Sequence, residues 1–328
     1  MNQPDKILLS IVVPVYNEQE VLSDFHNRLC SVISNLNMQN EIIYVNDGST
    51  DNTLQLLKLL YDSDDQVALV DLSRNFGKEI ALSAGLHKAQ GDAVVVIDAD
   101  LQDPPELIPQ LLEEWQQGYD IVYCKRKRRA GESFFKKITA HGFYRIMQKL
   151  SRVKLPEDTG DFRLLSRRAV DALNTLGEHH RFMKGLFTWI GFRQKAVLYD
   201  RDPRHAGQTK WNYWRLWNFA LEGITSFTTA PLKFSTYIGF ITAFGAFIYG
   251  TFMVVRTLIY GNPVPGYPSL IVIILFLGGA QLMAIGILGE YIGRIFTETK
   301  RRPLYFLNDY RPARQQLKTD TKSDKQEK

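Results

Sequence analysis

The hydrophobic pattern of the chain changes character twice. Between residues 8 and 126, short β-rich apolar runs (9–15, 41–46, 67–72, 93–97 and 121–123) alternate with stretches of helical spacing such as 18–36 and 53–61. Alternation of this kind predicts an α/β fold, a largely parallel sheet with helices on both faces. In such sheets the ligand crevice lies beyond the carboxyl ends of the strands. Polar clusters fall at four of those ends: Asn17-Glu18, Asp47-Gly48-Ser49, Arg74-Asn75 and Asp98-Ala99-Asp100. One crevice can collect them all.

The second change comes after residue 233. No residue in 234–255 or in 257–289 is charged, and each stretch reaches the roughly 20 residues needed to cross a bilayer. Two transmembrane helices are expected; the alternative, two buried helices of a soluble core, seldom stays uncharged for so long. Lys233 precedes the first span, Arg294, Lys300, Arg301 and Arg302 follow the second, and the 261–268 turn is uncharged, so both termini are expected in the cytoplasm. Arg256 lies at the far end of the first span, where its stem can snorkel to the headgroups. Residues 1–6 are polar and the next apolar run contains Pro14, which is unlike a signal peptide.

Composition alone would hide this division, because 45% hydrophobic and 23% charged residues suit an ordinary soluble protein. The 328 residues allow one large α/β domain with its own core plus a further module, without a disulfide or metal staple. Cys30 and Cys124 are too few and too scattered for a disulfide framework or a zinc site, and they fit a reducing compartment. In 133–150, Phe134, Ile138, Phe143, Ile146 and Leu150 can share one face while Lys136, Lys137, Arg145 and Lys149 occupy others. That pattern predicts a basic amphipathic helix, lying on an anionic membrane or packed on the domain with a solvated face. Trp211, Trp214 and Trp217 suit the headgroup region before the first span. Residues 319–328 are charged and apolar-poor, and are expected to be disordered.

The strongest chemical signal is Asp98-Ala99-Asp100-Leu101-Gln102-Asp103-Pro104-Pro105, several oxygen ligands directly after an apolar strand. Magnesium and manganese prefer such ligands, and a cation there can neutralise a departing diphosphate. Helix capping before Pro104 is the competing use of these carboxylates, and Asp103 is assigned to it. His179, His180 and His205 are not spaced as a metal site and are read as surface or packing residues.

Four ordered motifs, Val12-Val-Pro-Val-Tyr-Asn-Glu18, Val45-Asn-Asp-Gly-Ser-Thr-Asp51, Asp98 to Pro105, and Thr159-Gly-Asp-Phe-Arg163, resemble those of the family 2 glycosyltransferases. More narrowly they resemble the polyisoprenyl-phosphate glycosyltransferases related to dolichol-phosphate mannose synthase and to bacterial undecaprenyl-phosphate glucosyltransferases. The resemblance runs from about residue 8 to 312 and includes Leu288-Gly-Glu-Tyr-Ile-Gly-Arg294.

The resemblance implies an A-type glycosyltransferase fold, Rossmann-like with a mostly parallel sheet. It implies that Pro14, Tyr16 and Glu18 line the nucleoside pocket and that Asp47 contacts the base, usually uracil; Asp47 as a turn and cap residue before 50–60 is the alternative. Asp98 then faces the nucleotide-sugar and, with Asp100 and Gln102, a divalent cation. Arg126, Arg128, Arg129, Ser133 and Lys137 follow the fifth strand, where relatives hold the acceptor phosphate, a task suited to guanidinium groups; a membrane-surface charge run is the other reading. Asp161 matches the position usually assigned as catalytic, in company with Asp100. A phosphate monoester has its second pKa at about 6, so an acceptor of that kind needs little help from a general base. Asp161 is therefore expected to position the acceptor, bind a bridging cation or stabilise positive charge at the anomeric carbon. Arg181, Trp189, Arg201, Arg204, Gly207 and Lys210 resemble the segment that folds over the active site, with Arg204 and Lys210 as diphosphate ligands or as solvated surface charge.

The expected reaction is inverting transfer of a sugar, glucose first, from a UDP-sugar to undecaprenyl phosphate, at the cytoplasmic face of the inner membrane. Residues 1–130 would form the nucleotide-sugar half, 131–232 the acceptor half, 233–293 the spans and 294–328 a cytoplasmic tail. The expected partners are the UDP-sugar, the polyisoprenyl phosphate lipid, the membrane and other copies of the chain in a homo-tetramer, with no nucleic acid. A protein or soluble glycan acceptor fits the catalytic motifs equally well, and a non-enzymatic membrane scaffold would not need the intact carboxylate set. A processive polysaccharide synthase lacks support, since its Gln-x-x-Arg-Trp motif is absent.

Overall fold

The computed structural model describes residues 7–36, 38–126, 159–179, 181–200, 228–261 and 266–314. Strands β1 (Leu8–Val15), β2 (Gln39–Asn46), β3 (Val67–Leu72) and β4 (Ala93–Val96) form a parallel block in the order β4-β1-β2-β3. Each is buried on both faces along nearly its whole length, which is why all four read as near-continuous apolar runs. Four further strands widen the sheet to eight: β5 (Ile121–Arg126), β6 (Thr159–Ser166), β7 (Gln194–Tyr199) and β8 (Leu307–Arg311), in the order β7-β5-β6-β4-β1-β2-β3-β8. β6 runs antiparallel between β4 and β5, and β8 antiparallel along β3. The sheet is thus mixed, with the expected parallel order at its centre.

Among the described residues, six helices cover the two faces. On one, α1 (Leu22–Ile33), α2 (Thr53–Ser63) and α4 (Ile108–Gln116) bring Phe25, Leu29, Leu57 and Leu111 onto Leu9, Ile11 and Val13 of β1. On the other, α3 (Lys78–Lys88), α5 (Arg167–Asn174) and α6 (Met183–Trp189) bring Leu82, Val170 and Phe187 onto Val12, Ile43 and Val45. Burial of one such side chain contributes about 1.5–3 kcal/mol relative to leaving it in water. The helix expected over 18–36 is shorter, because Asn17, Glu18 and Gln19 bond instead to residues of the loop after β2.

Two long helices follow, α7 (Ala230–Tyr260) and α8 (Tyr267–Thr299). At 1.5 Å per residue they are about 46 and 50 Å long, against about 30 Å for a bilayer's hydrocarbon core. None of their most apolar stretch is buried within the chain. They pack on each other, and Tyr291 donates its hydroxyl to the Thr228 carbonyl at 2.6 Å. After α8 the chain returns to the domain as β8, so part of the segment expected as a tail is sheet. The segments 133–150, 211–217 and 319–328 lie outside the described residues.

Asp120, just before β5, is the polar hinge of the β5–β6 edge. Its carboxylate accepts from the Ser166 hydroxyl at 3.0 Å and from both Nε and Nη2 of Arg168. Burial alone would raise its pKa, but the Arg168 and Ser166 hydrogen bonds outweigh burial and hold it below the ordinary value. A carboxyl whose folded pKa is depressed contributes stability above its unfolded pKa, about 4, and loses it as the pH falls through the folded value. Asp120→Asn is expected to cost on the order of 1–3 kcal/mol at neutral pH. In thermal unfolding in detergent, the gap between wild type and variant should close as the pH drops below about 4; a gap independent of pH would refute the assignment.

Candidate active site

The carboxyl edge of the sheet is built by three close approaches. In β1, Val12 accepts from Ile97 N at 3.1 Å and its ladder with β4 ends. The next β1 residue facing β4 is Pro14, which has no N–H to extend the pairing. The strands part there, and the Asp98–Asp103 loop leaves the sheet. Second, Gly48 has φ +63°, and a Cβ on it would lie 2.4 Å from the backbone of Arg74 and Asn75. Only glycine lets the loops after β2 and β3 touch. Third, a Cβ on Gly85 would meet Val12 Cγ1 at 2.3 Å, so α3 lies tight against β1 and its first residue, Lys78, is brought to the strand ends.

Register then creates an electrostatic problem. β4 and β6 pair Val96 with Arg163 and Val95 with Leu164. Continued two residues further, that register sets Asp98 directly opposite Asp161, and like charges facing each other across strands repel. Lys78 lies between them, its Nζ 2.6 Å from Asp98 Oδ2 and 2.5 Å from Asp161 Oδ2. Burial would neutralise the lysine, but the two carboxylates more than offset it and raise its pKa, so it stays an ammonium. The carboxylates themselves diverge. Burial pushes Asp98 up to about 6 despite Lys78, with Asp161 and Asp103 adding to the rise. At Asp161 burial is outweighed by Lys78 and Lys184, which hold the carboxyl well below the usual range. Burial and the Asp161 charge push neighbouring Glu79 up to about 8.

Arg163 secures Asp161 from behind. Its Nη2 donates to Gly160 O at 2.8 Å and its Nε to Asp161 O at 3.2 Å, while the guanidinium lies 3.8 Å from the centre of the Phe187 ring. Asp161 Oδ1 and Arg126 Nε are buried with no hydrogen-bond partner among the described residues. Arg126 ends β5 beside Tyr199 of β7, whose hydroxyl donates to Asp103 Oδ1 at 2.5 Å. Asp103 is thus a strut between the loop and β7, and the following turn, capped at Pro104, has no side-chain cap, contrary to the capping role expected for Asp103. Asp100 Oδ1 accepts from Gln102 N at 3.1 Å, and Leu101 between them takes a left-handed φ of 59°. This tight turn brings Asp98, Asp100 and Gln102 within one loop.

The other expected residues divide. Tyr16 is 41% exposed at the end of β1 with Glu18 half-buried nearby, whereas Pro14 is buried within the strand. Asp47 is 3% exposed and accepts from Phe76 N at 2.7 Å and Gly77 N at 3.0 Å, a cap on the turn into α3 rather than on the helix after 50. Arg181 is buried and donates to Leu176 O, away from the carboxylates; Trp189 is exposed at the end of α6. His179 packs on the end of α8, its backbone N 2.8 Å from Glu298 Oε1. Arg128, Arg129, Ser133, Lys137, His180, Arg201, Arg204, His205, Gly207 and Lys210 lie outside the described residues. Sequence reasoning missed Lys78 and the bracing role of Arg163. The signal for Lys78 was present: a lysine three residues beyond the Arg74-Asn75 cluster at a strand end.

Known proteins resemble this chain along most of its length. Residues 10–173 match the model of glycosyl transferase family 2. An uncharacterised glycosyltransferase of Synechocystis is 54% identical over 303 residues, 92% of this chain and 95% of that one. The bactoprenol glucosyl transferase of Shigella phage SfV is 50% identical over 301 residues, 92% of this chain and 98% of that one. A solved glucosyl-3-phosphoglycerate synthase from Mycobacterium tuberculosis, with Mn2+, UDP-glucose and phosphoglyceric acid, covers 67% of this chain and 78% of its own at 20% identity and a TM-score of 0.46. With matching motifs, matching family model and relatives at half identity along nearly the whole chain, this protein belongs to glycosyl transferase family 2.

Proposed function

We propose that this glycosyltransferase transfers glucose from UDP-glucose to the phosphate of undecaprenyl phosphate at the cytoplasmic face of the inner membrane, inverting the anomeric configuration. The observation that carries the reading is the pair of opposed carboxylates, Asp98 and Asp161, held by Lys78 at the carboxyl edge of the sheet. The bactoprenol glucosyl transferase at 50% identity supports the acceptor and the sugar. Two helices of spanning length and hydropathy support a membrane-bound acceptor. The course of β8 supports a crevice and helix ends on one side of the membrane: Leu307 pairs with Leu72 and Arg311 with Leu69, so the chain coming from α8 enters the sheet at its carboxyl edge.

In this mechanism the lipid phosphate, already ionised near neutral pH, attacks the anomeric carbon from the side opposite the nucleoside diphosphate. Asp161, held ionised by Lys78 and Lys184, is a poor proton acceptor; its negative charge stabilises the positive charge that develops at the anomeric carbon. Lys78 keeps Asp98 and Asp161 aimed at one point. Arg126, with its buried unpartnered Nε, is the described candidate for the acceptor phosphate, joined in this proposal by Arg128, Ser133 and Lys137; Arg204 and Lys210 are assigned to the diphosphate. Tyr16 and Glu18 border the nucleoside site, and the lone pairs of Asp47 not used by Phe76 and Gly77 face the base. Asp98, Asp100 and Gln102 form an all-oxygen donor set that fits magnesium or manganese and would hold the cation, which when bound neutralises charge on the departing diphosphate. The proposed assembly is a homo-tetramer.

Radiolabelled nucleotide-sugars offered to the purified protein with undecaprenyl phosphate should yield label in the organic phase only with UDP-glucose and only with a divalent cation. Sealed vesicles exposing the cytoplasmic face should make the product, and vesicles of the opposite orientation should not; lipid label from another donor, or none, would overturn the substrate assignment.

Asp161→Asn should lower kcat by about 10²–10³, the scale of losing one preorganised electrostatic group. In wild type and Asp161→Glu alike, the acid limb of the rate should follow the acceptor phosphate, near pH 6; a limb that moves with the carboxylate would mean that Asp161 is a base.

Lys78→Met leaves the two carboxylates facing each other. Breaking a buried pair costs about 3–5 kcal/mol, but the Lys78 side chain is 45% exposed, so a loss of about 1–3 kcal/mol is expected in thermal unfolding, together with most activity. Lys78→Arg should recover part of both.

A further inference from the structure

A second cluster of ligating side chains lies at the opposite edge of the sheet. His26 and Cys30 stand one turn apart on α1, and Asp64 caps the end of α2, three residues before β3 begins. That is the amino edge of the strands, whereas Asp98 and Asp161 lie at the carboxyl edge. Cys30 Sγ is 3.6 Å from His26 Nε2 and 3.9 Å from Asp64 Oδ2, and His26 Nε2 is 3.7 Å from Asp64 Oδ2. Tetrahedral zinc, with bonds of about 2.3 Å to sulfur and about 2.0 Å to nitrogen and oxygen, separates its ligand atoms by about 3.3–3.6 Å. The three atoms need to close by a few tenths of an ångström and the His26 ring to turn, because Cys30 Sγ is also 3.9 Å from Nδ1 and so lies beside the ring rather than in line with Nε2.

The atoms behind the cluster are arranged as supports of a metal site. His26 Nδ1 lies 3.0 Å from the hydroxyl of the fully buried Tyr44, which leaves Nε2 as the ring nitrogen for Cys30 and Asp64. Such a bond to the second ring nitrogen is the usual orienting device of a metal-bound histidine. Asp64 Oδ1 accepts from Gln66 N at 2.8 Å, which leaves Oδ2 for the cluster.

We infer that His26, Cys30 and Asp64 bind one zinc ion, with water as the fourth ligand on the side where Cys30 and Asp64 reach solvent, fastening α1 to the α2–β3 turn. Zinc displaces the thiol proton to solvent and forms the Zn–S bond; no electron is transferred. The mixed nitrogen, sulfur and oxygen set selects zinc over magnesium, in contrast to the all-oxygen set at Asp98. Counting cysteines along the sequence excludes a zinc site; the folded chain supplies the other two ligands. This site is independent of the proposed reaction.

The test uses the full chain in detergent, stripped by chelator, passed through a desalting column and titrated with zinc in excess magnesium, with bound metal counted by mass spectrometry. One zinc per chain is expected, and cobalt in its stead should give a thiolate charge-transfer band in the near ultraviolet. Cys30→Ser should abolish the band and Asp64→Asn should weaken binding at least tenfold, whereas Asp100→Ala should leave both unchanged. Tyr44→Phe, which removes only the orienting hydroxyl, should weaken binding by about 10–100-fold. Absence of stoichiometric zinc in the wild type, or zinc retained by both Cys30→Ser and Asp64→Asn, would overturn the inference.

Discussion

Two carboxylates forced together by strand register are the constraint around which the carboxyl edge of the sheet is organised. The antiparallel insertion of β6 beside β4 sets Asp161 across from Asp98, and two ionised carboxyls in that arrangement would raise each other's pKa until one took up a proton. The Lys78 ammonium prevents this. Its position depends in turn on features that have no chemistry of their own: Gly85, which lets α3 lie on β1, Gly48, which lets two loops touch, and Asp47, which ties the turn into α3. The site is therefore a property of the sheet rather than of any one loop.

The same arrangement divides labour between the carboxylates. Asp161, whose pKa is depressed, is a fixed negative charge, while Asp98 is raised by burial to about 6. A nucleophile that arrives ionised makes a general base unnecessary, so a carboxylate too acidic to accept a proton is no handicap. Arg163 pins the backbone on which Asp161 sits, so the charge cannot retreat from its position.

How much of this was legible follows from physical locality. β1 to β4 were readable because strands buried on both faces are largely apolar, and β5 because it opens on buried Ile121 and Val122. β6 (TGDFRLLS), β7 (QKAVLY) and β8 (LNDYR) were not readily legible, because they mix polar residues with apolar ones. β8 pairs with a strand more than 230 residues away, and no local pattern announces such a partner. Asp98, Asp100 and Asp161 were visible as motifs. Lys78 escaped because its partners lie 20 and 83 residues further along the chain, although its strand-end location was a clue. Asp47 illustrates the reverse case. Its importance could be seen, but its partners Phe76 and Gly77 became evident only in the fold.

The two long apolar helices and the crevice are joined by a short, heavily fastened segment. Between Thr299 and Leu307 the chain can span at most about 28 Å. Along the way His179 meets Glu298 and Arg302, and His87 Nδ1 lies 3.1 Å from the Tyr305 hydroxyl. Within β8, Asn308 donates to Asp71 Oδ2 at 2.7 Å, and Asp71 in turn accepts from Asn46 at the end of β2. These contacts run from the end of α8 to the strand that leads into Asp47 and the turn before Lys78. For an acceptor whose reactive phosphate is tethered to a bilayer, a crevice at a fixed distance from the helix ends is the geometric requirement. An antiparallel strand that enters at the carboxyl edge meets it, because Asp98 and Asp161 lie at that edge.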